Sequence, residues 1–141
     1  MRAILDTNIL ISALITQNTY PDRLYEAWRD GQFELLCCEQ QIDELRAVTR
    51  RPGISQLIKS SEAGHLINSI RSLATMVDRL PQVDIASDPN DDFLLALAQA
   101  GQANYLVTGD TRALLSLKQF GETRIVSARD FANDILNLKP G

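Results

Sequence analysis

The chain has 141 residues and a mass of 15.7 kDa, with 45% hydrophobic and 23% charged residues. That is the size and composition of one globular domain over residues 1–141; it excludes general disorder, and no apolar run is long enough to span a bilayer. The formal net charge is -4 and the pI about 4.9, which argues against broad, salt-driven binding to duplex DNA and leaves room for clustered carboxylates.

The apolar run Ala3 to Leu5 reads as a first strand, and Asn8 to Ile15 as a helix. Asp6 and Asn8 interrupt the N-terminal apolar stretch and no small-residue cleavage site follows, so no signal peptide is expected and the default location is cytoplasmic. Pro21 opens a second helix that stops at Gly31. Phe33 to Cys37 is a strand, and Glu39 to Arg50 a helix ended by Pro52-Gly53. Ser61 to about Ala74 carries Leu66, Ile67, Ile70 and Leu73 at helical spacing, and Met76 to Asp78 is a short strand. Asp91 to Gly101 is a helix apolar almost all round, hence buried on most sides. Tyr105 to Thr108 is a strand, Thr111 to Leu117 a short helix, and Arg124 to Val126 a strand. Ser127 and Asp130 then cap a last helix through Leu138. Strands alternating with helices imply a mostly parallel sheet covered on both faces. Ligands in such folds sit beyond the carboxyl ends of the strands.

Two carboxylates stand at those ends. Asp6 directly follows the first strand, and Asp110 follows Tyr-Leu-Val-Thr-Gly in the same way. Asp92, with Asp88 and Asp91 before it, opens the buried helix, where a carboxylate also serves as a cap or dipole partner. Glu44 lies at the edge of the apolar face formed by Ile42, Leu45 and Val48. A helix packing that face on the sheet would aim Glu44 along the boundary, toward the sheet end. Each acid alone is weak evidence; the set is more informative, because two strand ends and one helix start can converge at a single edge of the sheet. Two carboxylates 4 Å apart repel by about 4 kcal/mol at an effective dielectric of 20, so such a cluster calls for a cation or for protons. Oxygen-only ligands favour Mg²⁺ or Mn²⁺. The adjacent Cys37 and Cys38 are too close for an ordinary disulfide and have no CxxC spacing. His65 is the one histidine, which excludes His-rich metal sites.

Four segments in order resemble PIN-domain nucleases. They are Ile-Leu-Asp-Thr-Asn-Ile (4–9), Ile-Asp-Glu-Leu (42–45), Asp92-Phe-Leu-Leu-Ala-Leu-Ala, and Leu-Val-Thr-Gly-Asp (106–110). Each motif is short; their order and spacing run from Arg2 to about Phe131. Within that family the chain is most similar to the small, stand-alone toxins of toxin–antitoxin pairs. The resemblance implies a three-layer α/β/α sandwich and a metal-dependent endoribonuclease. Asp6, Glu44 and Asp92 would be the core metal ligands for Mg²⁺ or Mn²⁺, and Asp110 a fourth acid for a second metal or a water. Thr108 would support the cluster by hydrogen bonding. Asp91 and Asp92 are equivalent on physics alone; the register of the Ala-rich helix selects Asp92. The family often carries Ser or Thr where Cys38 stands, so the start of the next helix departs from its pattern. An RNA substrate, a protein antitoxin and a homodimer are implied as partners.

Arg112 would contact a backbone phosphate or stand solvated at a helix start. Asn8 would hydrogen-bond Asp6 or, more simply, cap the first helix. Arg46, Arg50 and Arg51 would line an RNA path or form a solvated face. Trp28 is expected in the core and His65 at the surface. Two other functions compete. A phosphoaccepting or phosphatase domain would use Asp6 as nucleophile, but the second Asp expected two residues on is Asn8, and a lysine partner is hard to place. A catalytically silent interaction module would have no need of the intact set Asp6, Glu44, Asp92 and Asp110. Nucleotide-binding enzymes are disfavoured, since neither G-x-G-x-x-G nor a Walker A loop occurs.

Overall fold

The computed structural model describes residues 1–86, 91–109 and 114–138. Its six-stranded sheet is made of β1 (Arg2–Leu5), β2 (Glu34–Cys37), β3 (Thr75–Met76), β4 (Tyr105–Val107), β5 (Gln119–Phe120) and β6 (Thr123–Val126). The strand order is β3-β2-β1-β4-β6-β5. All neighbours pair parallel except β5 and β6, which pair antiparallel. Both edge strands are only two residues long, which leaves little open ladder for another chain to join.

Period-two alternation sorts the strand side chains into two cores. Ala3, Leu5, Leu35, Cys37, Val107 and Val126 face one side. There they meet α1 (Thr7–Ile15), α2 (Tyr20–Arg29), α3 (Glu39–Thr49), α5 (Ser60–Leu73) and the C-terminal helical segment. Ile4, Leu36, Leu106 and Ile125 face the other side, against α6 (Asp92–Gly101). The result is the expected three-layer α/β/α sandwich. Six consecutive residues of α6, Phe93 to Ala98, are buried, as its nearly all-apolar sequence requires. No helix among the described residues is long and apolar enough to cross a membrane.

Local chemistry sets some of the boundaries. Thr19 caps α2 by accepting from the Asp22 amide, and Gly31 follows the helix at φ 81°, a left-handed conformation that costs glycine little. Ser127 Oγ accepts from the Asp130 amide at 3.1 Å and starts the last helical segment.

Four expectations are corrected. Pro52-Gly53 does not merely end α3: Pro52 sits in the first turn of a separate short helix, α4 (Pro52–Ser55), where its missing N–H costs nothing. The last segment is not one helix through Leu138: α7 (Ala128–Asp130) widens into a π-helical turn, Phe131–Ile135. Of the helix expected over Thr111 to Leu117, a 3-10 turn covers Leu115–Leu117, and residues 111–113 lie outside the described ones. Asn8 does not cap α1; Asp6 holds that position, and Asn8 is exposed in the first turn. The two cysteines are free and buried. Cys38 makes no side-chain cap, and α3 still begins at Glu39.

Candidate active site

Chain order places β1 at the point where the sheet changes direction. β2 lies to one side of it and β4 to the other, so the chain leaving β1 turns towards β2 while the chain leaving its neighbour β4 turns the opposite way, towards β6. A crevice at that end is the usual ligand position in an open α/β sheet. Asp6 is the residue there. Its amide donates to Val107 O at 2.9 Å, and its carbonyl accepts from Ile9 and Leu10 at the start of α1. Its side chain is 7% exposed, and Oδ2 accepts a 2.7 Å hydrogen bond from Thr108 Oγ1, itself fully buried at the end of β4. Backbone and carboxylate are thus both held, by two strands and a helix.

Glu44 lies on α3, half-buried at the margin of its apolar face. Burial pushes its carboxyl above the ordinary value. The Asp6 charge pushes in the same direction, while the Thr7 hydroxyl and the Arg51 guanidinium favour the ionised form. The Thr7 influence is weak in geometry: Oγ1 is buried and makes no well-formed hydrogen bond among the described residues. The two acids therefore sense each other, as a shared site requires.

The carboxyl edge of the sheet also receives the start of α6. Ala98, Gln99 and Gln102, at the far end of that helix, line a cavity of about 880 Å³ with Met1, Arg2 and Glu34 at the amino edge. A helix of 10 residues spans about 15 Å, which carries its first turn to the opposite edge. That cavity is remote from the acids and plays no part in the site. Asp92 Oδ1 accepts from the amides of Ile85 and Ala86, at 3.1 and 2.8 Å. One oxygen thus anchors the preceding loop. Asp91, one residue earlier, buries its Oδ2.

Asp110 and Arg112 lie outside the described residues, as does Asp88. Among the described residues, no three His, Cys, Asp or Glu side chains lie close enough to hold a metal ion. Asp6 and Glu44 supply hard oxygen donors of the kind a divalent cation takes, and their mutual repulsion fits one. Asn8 is exposed beside Thr7. Arg46 and Asp43 form an exposed pair at 3.8 Å, and Arg50 and Arg51 are exposed. Trp28 is 5% exposed and His65 is at the surface.

One residue of the site was missed from the sequence. Gln41 is 1% exposed and donates from Nε2 to Leu5 O at 2.8 Å. Its signal was readable: Gln41, Ile42, Leu45 and Val48 fall on one helical stripe, and an amide within such a stripe needs a buried partner.

The PIN domain family model matches residues 2–112. No curated protein matches the chain. Among solved structures, the chain is similar to VapBC2 from Rickettsia felis, crystallised with a DNA fragment from their promoter. The two share 17% identity with a TM-score of 0.53, over 90% of this chain and 98% of that one, which is a likeness of fold. The chain belongs to the PIN-domain family, whose members are in general nucleases and typically use divalent metal ions.

Proposed function

We propose that the protein is a metal-dependent endoribonuclease hydrolysing RNA phosphodiester bonds, the toxin of a pair held inactive by a protein antitoxin. The observation that carries this reading is the buried Asp6 carboxylate, fixed by Thr108 at the switch point of the sheet and coupled to Glu44. Membership of the PIN family supports nuclease chemistry. The likeness of fold to VapBC2 supports the pairing with an antitoxin.

Asp6, Glu44, Asp92 and Asp110 are the proposed acids, with Mg²⁺ or Mn²⁺ as the ion. Bound there, the ion would supply an activated water and neutralise charge on the phosphate oxygens. The chain's own contribution is arrangement. Thr108 directs Asp6 Oδ2, Asp92 Oδ1 is committed to the loop before α6, and the half-buried Glu44 sits where water is partly excluded. Arg112 is proposed to contact the substrate backbone. A homodimer in the cytoplasm completes the reading.

The test is cleavage of a mixed-sequence single-stranded RNA with Mn²⁺, with Mg²⁺ and with EDTA. Metal-dependent cutting by the wild type, lost in Asp6→Asn with its fold intact, is the expected result. Normal turnover by Asp6→Asn would sink the assignment.

A further inference from the structure

We propose that Gln41 is a positioning residue that sets the register of Glu44 against Asp6. The inference rests on the reading of those two acids as a metal site. Gln41 lies three residues before Glu44 on α3, so the two side chains are neighbours along the helix surface. Its amide reaches across to the carbonyl of Leu5, the residue immediately before Asp6. The parallel register of β1 with β2 consists of Arg2↔Glu34 and Ala3↔Leu35, so the Leu5 carbonyl stands past the last of those pairs. On its other side Leu5 is in register with Val107. A side chain from α3 thus takes a backbone acceptor at the frayed end of the ladder.

The rest of the stripe, Ile42, Leu45 and Val48, holds α3 on the sheet by apolar contact. Such contact is non-directional and permits small slides along the helix axis. The Gln41 bond is directional, buried and short, and it ties the helix bearing one acid to the residue beside the other. Leu or Met at this position would pack equally well and hold no register.

The experiment measures Mn²⁺ affinity by calorimetric titration for wild type, Gln41→Met and Thr123→Val. Thr123 is the control: it is 3% exposed, and its Oγ1 donates to the Ala103 carbonyl at 2.7 Å, beside the cavity at the opposite edge of the sheet. Both variants delete one buried bond to a carbonyl, and both are expected to lower Tm. Gln41→Met is expected to weaken Mn²⁺ binding about 10-fold or more, the usual effect of losing a group that orients a ligand. Thr123→Val is expected to bind as the wild type does. Equal affinity in Gln41→Met and wild type would overturn the proposal and leave Gln41 a packing residue. If Gln41→Met does not fold, Gln41→Asn, whose amide is one methylene too short for Leu5, is read by the same criterion. Absence of Mn²⁺ binding by the wild type would overturn the metal reading, and this inference with it, before any variant is compared.

Discussion

Thr108 Oγ1 donates to Asp6 Oδ2 at 2.7 Å, a bond between residues 102 apart in sequence that joins the ends of two adjacent parallel strands. Both groups are buried, so the bond is shielded from competing water. Thr108→Val keeps the shape and removes the donor. The expected loss of stability is about 1–3 kcal/mol, because the carboxylate loses a buried partner. RNA cleavage is expected to fall about 10–100-fold, with Thr108→Ser restoring most of it. Urea unfolding and initial cleavage rates measure the two effects. Unchanged cleavage in Thr108→Val would leave the bond a structural one.

Glu44 gives a pH dependence whose sign follows from its raised pKa. Burial is the first cause and the Asp6 charge adds to it. The folded chain therefore holds a proton on Glu44 at pH values where the unfolded chain has released it. This contribution to stability is complete below the ordinary value of 4.5 and is lost as pH rises through the raised folded value. Glu44→Gln is accordingly expected to raise Tm by a few degrees at most near pH 7 and to make no difference near pH 4. The effect is small because the side chain is only half-buried. The same variant is expected to abolish cleavage. A lower Tm for Glu44→Gln at pH 7 would show that Glu44 is held by a favourable partner instead.

Asp6 was legible because a three-residue apolar run ending in a carboxylate reads directly as a strand end. The two-faced core was legible too, through the alternation of strands with helices along the chain, which covers a parallel sheet on both faces. What the sequence did not disclose depends on contacts between distant segments. The stripe of Ile42, Leu45 and Val48 marks Gln41 for burial, but the acceptor of its amide, Leu5 O, lies 36 residues away in sequence. The commitment of Asp92 to the amides of Ile85 and Ala86 depends on how that loop returns to α6. The two-residue strand Gln119–Phe120 is too short to show a period, and it exists because Thr123 and Arg124 pair with it. Pro52-Gly53 reads as a stop signal, yet the first turn of a helix tolerates proline, and Pro52 opens one.

The cysteines yield a negative prediction. Burial pushes the Cys37 thiol up to about 12 and raises Cys38 as well. Both thiols are thus held towards the protonated, unreactive form, and both are buried at the end of β2. Iodoacetamide is expected to leave both unmodified in the native protein and to label both after denaturation, as read by intact-mass spectrometry. Reducing agents are expected to leave activity unchanged. Rapid labelling of the native chain would mean that the carboxyl end of β2 opens readily.

The start of α6 offers two adjacent acids, and the hydrogen bonds of Asp92 separate their roles. An Asn side chain still presents an oxygen to the Ile85 and Ala86 amides, so Asp92→Asn removes charge while keeping the loop anchor. Asp92→Ala removes both. If Asp92 belongs to the metal site, Asp92→Asn is expected to lose cleavage with little change in Tm. Asp92→Ala is expected to lose cleavage and about 1–3 kcal/mol of stability. Asp91→Asn is then expected to retain most activity. The opposite pattern, with Asp91→Asn inactive and Asp92→Asn active, would assign the chemistry to Asp91 and leave Asp92 only its loop. The buried Oδ2 of Asp91 makes that pairing of variants necessary, because an acid near the sheet edge is held by each residue. Cleavage rates and melting curves for the three variants, compared at one Mn²⁺ concentration, decide between them.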